Sequence, residues 1–218
     1  NTAVGANALT ANTSGARNVA LGRLALQLNS SANCNVAVGD AALYSNQTGE
    51  KNVAIGVNAL YANTAENNVA VGHLVLSENT TGTRNTAVGS CSLDANQSGN
   101  DNTAVGRTSL SSNTTGDNNV AVGVGALQSN TTADNNTAFG YVALIAATTG
   151  PNNTAVGFKA ACKNVAGNHN TAMGSCALCS NVGSDRNVAI GSQSLINMTG
   201  TTDFHNTAVG YSSGNAVT

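Results

Sequence analysis

Asn1-Thr2-Ala3-Val4-Gly5 opens the chain, and the same pentapeptide, Asn-(Thr/Val)-Ala-(apolar)-Gly, returns twelve more times. Its copies begin at Asn1, Asn18, Asn35, Asn52, Asn68, Asn85, Asn102, Asn119, Asn136, Asn153, Asn170, Asn187 and Asn206. The spacing is 17 residues in ten of twelve steps, 16 from Asn52 to Asn68 and 19 from Asn187 to Asn206. A fixed short period marks a repeat architecture, in which each unit buries its apolar face only against its neighbours.

With the Asn as position 0, position 2 is Ala and position 4 is Gly in every copy. Position 1 is Thr in seven copies and Val in six, while position 3 is Val, Leu, Ile, Phe or Met. β-Branched residues alternating with small ones and closed by Gly predict a short strand and its turn. Position 8 is Leu in eleven copies, broken only by Ala161 and Gly214, and a second short strand over positions 6 to 10 is expected to carry it inward. Turn chemistry follows at Asn12-Thr13-Ser14-Gly15, Asn79-Thr80-Thr81-Gly82 and Asn113-Thr114-Thr115-Gly116. Thirteen Gly and many Asn, Thr and Ser at fixed offsets interrupt any helix within about two turns.

These features predict an all-β chain: a parallel β-solenoid, or β-roll, of about thirteen 17-residue coils with two short strands each. Residues 1–218 read as a single repeat domain, a segment of a longer fibre. Stacking at about 4.8 Å makes thirteen coils roughly 60 Å long. The length variants fall in the wide turn, at residues 63–67 and 197–205, and none of the eighteen charged residues stands at positions 0 to 4, 7 or 8. Loops absorb insertions and charge; stacked strands do not.

On the first strand, positions 1 and 3 face one way and positions 2 and 4 the other. The bulkier pair is expected to make the core with the Leu column, leaving an Ala/Gly face that needs a close cover. The opposite orientation would turn a stripe of aliphatic side chains to solvent, which also demands a partner chain. In both cases association of identical chains about one axis is the simplest cover.

Only 8% of residues are charged, with net charge −2, so nucleic acid and acidic membranes are not expected partners. No run of 18 apolar residues is present, so no span of a bilayer is expected.

Asn67-Asn68-Val69-Ala70-Val71-Gly72 and Asn118-Asn119-Val120-Ala121-Val122-Gly123 resemble the Asn-Ser-Val-Ala-Ile-Gly motif of YadA-type trimeric autotransporter adhesin heads. Similar Asn-Thr-Ala-Val-Gly arrays occur in phage-type tail fibre proteins, often ahead of a self-cleaving chaperone domain. The resemblance covers the whole chain and implies a left-handed parallel β-roll with three chains side by side. The period here is longer than in the adhesin heads, the extra residues forming the Asn-Thr-Thr-Gly turn.

The position-0 Asn column, at the thirteen residues numbered above, is expected to stack its amides coil upon coil, each bonding the next. Ten Asn-X-Ser/Thr sequons occur, at Asn12, Asn29, Asn46, Asn79, Asn96, Asn113, Asn130, Asn135, Asn152 and Asn197, seven of them at position 11. They are N-glycan acceptors by pattern, but sequons about 5 Å apart crowd full glycans, and turn chemistry is the favoured reading. Cys162 and Cys179 share position 9 of consecutive coils, so a ladder disulfide between them is expected outside the cell. Cys91 and Cys176 share position 6 five coils apart and are expected to stay unpaired.

His73, His169 and His205 fall in loops of different coils with no acid or Cys cluster beside them, and the ten acids are dispersed around the loops, with Asp117 and Asp134 aligned only as a short column. No catalytic, cofactor-binding or metal-binding set is expected, and an enzyme is not. The expected function is an extracellular, cell-surface or virion-surface fibre or adhesin shaft. It would assemble with itself as a homotrimer or filament, present a tip, or bind host surface glycans or proteins many times over. The alternatives are an ice-binding solenoid, suggested by Thr columns on a flat sheet, and a capsular polysaccharide depolymerase.

Overall fold

The computed structural model describes residues 1–199 and 205–215. Thirteen strands of three residues each, from β1 (Thr2–Val4) and β2 (Val19–Leu21) to β13 (Thr207–Val209), form one parallel sheet in sequence order. Neighbouring strands pair in register, as in Thr103↔Val120, Ala104↔Ala121 and Val105↔Val122. The chain is therefore an all-β parallel solenoid, one strand per coil. Register survives both length variants: Val53 pairs with Val69 across the short coil, and Val188 with Thr207 across the long one. Residues 200–204 of the long coil lie outside the described residues.

The core is the reverse of the main sequence expectation. Ala at position 2 turns inward and is buried, as at Ala104 and Ala121, and it packs against Ala at position 7 and Leu at position 8 across a thin interior. Positions 1 and 3 face outward. A three-residue strand has one central side chain to offer the interior, and the short span to the Leu layer leaves space for a methyl group there.

No second strand per coil forms among the described residues. Positions 5 to 10 are a run of turns in which positions 6 and 8 take positive φ, as at Thr108 (54°) and Leu110 (53°). The reason lies in the side chains: Ala126 and Leu127 are adjacent and both wholly buried, as are Ala143 and Leu144. A strand would turn one of each pair outward. The left-handed residue lets both enter the core, at the steric cost an L-residue meets there. Coil-to-coil bonding is kept, with Leu110 N–H donating to the Ala126 carbonyl at 2.9 Å and Ser112 N–H to that of Gln128 at 3.1 Å.

Position 4 must be Gly for two reasons. Gly106 has φ +131°, and a Cβ there would stand 2.6 Å from the carbonyl oxygen of Gly123 in the next coil. No helix among the described residues is long and apolar enough to cross a membrane.

Candidate functional surfaces

Ladders of polar side chains run along the described coils, among them the position-12 hydroxyls, as where Thr114 Oγ1 donates to the Thr131 carbonyl at 3.0 Å. At position 0 the Asn side chains bond backbone rather than the next amide along most of the column. Asn102 Nδ2 donates to the Gly116 carbonyl at 2.8 Å, tying the coil's start to its end, and the backbone N–H of Asn119 donates to Asn102 Oδ1 at 2.9 Å. Amide-to-amide bonding in this column occurs at the last coils, Asn187 to Asn170 at 3.0 Å and Asn206 to Asn187 at 3.3 Å. The expected stack is corrected accordingly: the unpaired backbone N–H at the strand's start is the nearer donor, and it takes the side-chain oxygen.

The amide-to-amide ladder stands instead at position 11, within the wide turn. Asn96 Nδ2 donates to Asn79 Oδ1 at 2.7 Å, Asn113 to Asn96 at 2.8 Å and Asn130 to Asn113 at 2.9 Å. Each donor amide also reaches a carbonyl three residues on, as Asn113 does to Gly116 at 3.0 Å. The ladder breaks beneath the short coil and beneath Ala147, where Asn46 Oδ1 and Asn130 Oδ1 are buried without a partner.

This burial decides most of the sequons. Asn29, Asn46, Asn79, Asn96, Asn113 and Asn130 are wholly buried, so a glycan on any of them is incompatible with this fold. Asn12 is half-buried and accepts from Asn29, while Asn135, Asn152 and Asn197 are exposed.

Another ladder is at position 15, where loop acids and amides accept backbone N–H groups of the preceding coil. Asn100 N–H donates to Asp117 Oδ1 at 2.6 Å, and Asp117 N–H to Asp134 Oδ1 at 2.8 Å. These carboxylates are engaged in holding the turn.

Cys162 and Cys179 stack but are not bonded; all five cysteines are free and half-buried. Cys162 Sγ donates to the Cys179 carbonyl at 3.7 Å. Burial, and then the neighbouring Cys179, push the Cys162 thiol up to about 12.

His73, His169 and His205 are exposed, with His205 Nε2 3.3 Å from Arg186 Nη1. Among the described residues no three His, Cys, Asp or Glu gather as a metal site.

The outward face of the sheet is apolar. Position 3 lines it with Leu21, Ile55, Val88, Val105, Phe139, Met173 and Ile190, and the two exposed most in this group are Phe139 at 56% and Leu21 at 46%. Position 1 sets alternating runs of Val and Thr beside that column. The stripe runs the length of the sheet, about 58 Å at 4.8 Å per step.

Two aromatic stacks also follow the coil period. Tyr44 and Tyr61 lie 5.0 Å apart and nearly parallel, and Tyr141 and Phe158 lie 5.6 Å apart with Lys159 Nζ over the Phe158 ring. Sequence reasoning passed over both, although the 17-residue spacing applied to Cys162 and Cys179 identifies them equally well. Comparison with family models, curated proteins and solved structures gives no match to the chain.

Proposed function

We propose that the chain is a structural fibre or adhesin shaft, working outside the cell and assembled side by side with copies of itself, a homotrimer of left-handed rolls being the form that its motif resemblance implies. The observation that carries this reading is the apolar outward face of the thirteen-stranded sheet. A long row of outward apolar side chains is the kind of surface that marks a contact with another chain. Identical chains with identical 4.8 Å spacing can interdigitate their position-3 columns along the full length. A rod of this kind would hold a tip away from a surface and could repeat weak contacts along its flanks.

The test is sedimentation of the parent chain beside a Val88→Lys/Val122→Lys variant. A trimeric parent and a monomeric variant support the reading, and a monomeric parent overturns it. One observation favours the ice-binding alternative: the outward Thr86, Thr103, Thr137, Thr154 and Thr171 share one face. Thermal hysteresis in a solution of the chain would move the assignment there.

A further inference from the structure

The column at position 9 runs Tyr44, Tyr61, Ser77, Asp94 in successive coils. Tyr44 covers one face of the Tyr61 ring. The other face looks toward Ser77, whose side chain is too small to cover it. The stack ends there with a vacancy one coil thick, the space a third ring would fill.

A cavity of about 430 Å³ opens at this point, lined by Asn58, Tyr61, Ala62, Leu74, Ser77 and Glu78. Its size falls within the range of small-molecule sites. Its polar side chains differ from their neighbours on the same two coils. Asn63 and Asn79 are tied into the buried ladder, whereas the Asn58 amide, the Ser77 hydroxyl and the Glu78 carboxylate make no side-chain hydrogen bond among the described residues.

We propose that this slot binds one neutral pyranose residue of a glycan, its C–H face on Tyr61 and its hydroxyls on Asn58, Ser77 and Glu78. An aromatic face is electron-rich and attracts the weakly positive C–H groups of a sugar ring. Sugar hydroxyls donate and accept at once, and the slot supplies both functions: Asn58 and Ser77 offer donors and acceptors, Glu78 an acceptor. A bound cation would need acceptors alone. Glu78, with Asp94 one step beyond Ser77, repels sialic or uronic acids and nucleotide phosphates. The slot lies on the layer across the core from the sheet, so side-by-side packing of the sheets leaves it open.

The inference rests on the extracellular reading for where the glycan is met, while the slot itself is complete within one chain. Saturation-transfer NMR with the methyl pyranosides of glucose, galactose, mannose and N-acetylglucosamine tests it, with sialyllactose and arginine ethyl ester as the charged probes. At least one neutral pyranoside should show transfer, reduced about tenfold or more by Tyr61→Ala and unchanged by Tyr141→Ala. Ser77→Tyr supplies a second variant that keeps the fold, since position 9 already carries Tyr in two coils; its ring should fill the slot and abolish binding. The monomeric Val88→Lys/Val122→Lys chain should bind as the parent does, which separates this inference from the assembly reading. Transfer to none of the neutral sugars, transfer that survives both Tyr61→Ala and Ser77→Tyr, or transfer to the charged probes alone would overturn the assignment.

Discussion

Asn113 Nδ2 donates to Asn96 Oδ1 at 2.8 Å, amide to amide between adjacent coils, with both side chains wholly buried. Asn113 also accepts from Asn130 at 2.9 Å, so one residue serves three coils. Asn113→Ala strips Asn96 Oδ1 of its donor and Asn130 Nδ2 of one acceptor. Each orphaned buried group costs about 1–3 kcal/mol. Urea denaturation should show a loss in that range, while Thr115→Ala, exposed in the same turn, should stay within about 0.5 kcal/mol. Equal effects would mean that the ladder contributes nothing.

The same ladder predicts a gain. Ala147 occupies position 11 where the neighbouring coils on both sides carry Asn, and it leaves Asn130 Oδ1 buried and unpartnered. Ala147→Asn should donate to that oxygen and raise stability by about 1 kcal/mol, the usual net worth of a hydrogen bond. A loss of stability instead would show that the site has closed around the methyl group.

Gly106→Ala tests the stacking itself. Its φ of +131° is foreign to L-residues, and the obstacle to a Cβ is the Gly123 carbonyl, backbone that cannot swing aside. Strain and overpacking together should cost about 2–5 kcal/mol. A melting temperature unchanged from the parent would mean that the coils can separate locally without loss.

Much of this was legible in the residues, and the failures share one cause. Repeat period, the position of the one strand that forms in each coil, loop placement of charge and the role of Gly follow from columns of identical residues, whereas the second strand expected over positions 6 to 10 does not form. Orientation does not, because a three-residue strand offers one inward side chain and the period-2 rule cannot say which face that is. Ala104 therefore went to the wrong side in the main reading. The left-handed Leu110 was hidden for a related reason: Leu is an unusual residue at positive φ, and nothing in its letter announces the conformation. The Asn113 ladder lay inside a motif that reads equally well as turn chemistry or sequon. The slot beside Tyr61 is defined by the small size of Ser77 in a column, and that shows only once residues 17 and 16 apart are set beside one another.

Asp94 gives the chain a pH dependence of known sign. Burial first, then the charge of Glu78, hold its carboxyl above the ordinary value, and its Oδ1 is buried without a partner. Between the unfolded and folded pKa values the native state holds the extra proton, so stability falls as pH rises through that window. Asp94→Asn removes the charge, and should raise the melting temperature at pH 7 but leave it near the parent value at pH 3. Asp101 runs the other way: the bond to Arg84 at 2.6 Å lowers its pKa, and its small, exposed contribution is lost as pH falls. A gain from Asp94→Asn of equal size at both pH values would rule out titration as the cause.

The outward sheet face separates assembly from folding. Ala104 and Ala121 are wholly buried in the coil's own core, so Ala104→Gln with Ala121→Gln should unfold the coil rather than only part the chains. Each Gln forces an amide into a space sized for a methyl group, with overpacking of about 1–3 kcal/mol per site. Val88 and Val122 occupy the opposite, outward side of the same sheet. A lone chain should accept Lys at both, since strand preference alone spans only about 1 kcal/mol. The two ammonium groups stand two coils apart, about 10 Å, close to the Debye length at 0.1 M salt, so their mutual repulsion is partly screened. In an assembly packed through that face, each Lys buries an unpaired charge, and symmetry repeats the penalty in every chain. Val88→Lys/Val122→Lys should therefore keep the parent's circular dichroism and sediment as a monomer, whereas Ala104→Gln/Ala121→Gln should lose both assembly and β signal. If the Lys variant keeps the parent's trimer, the chains meet elsewhere and the outward stripe has another purpose.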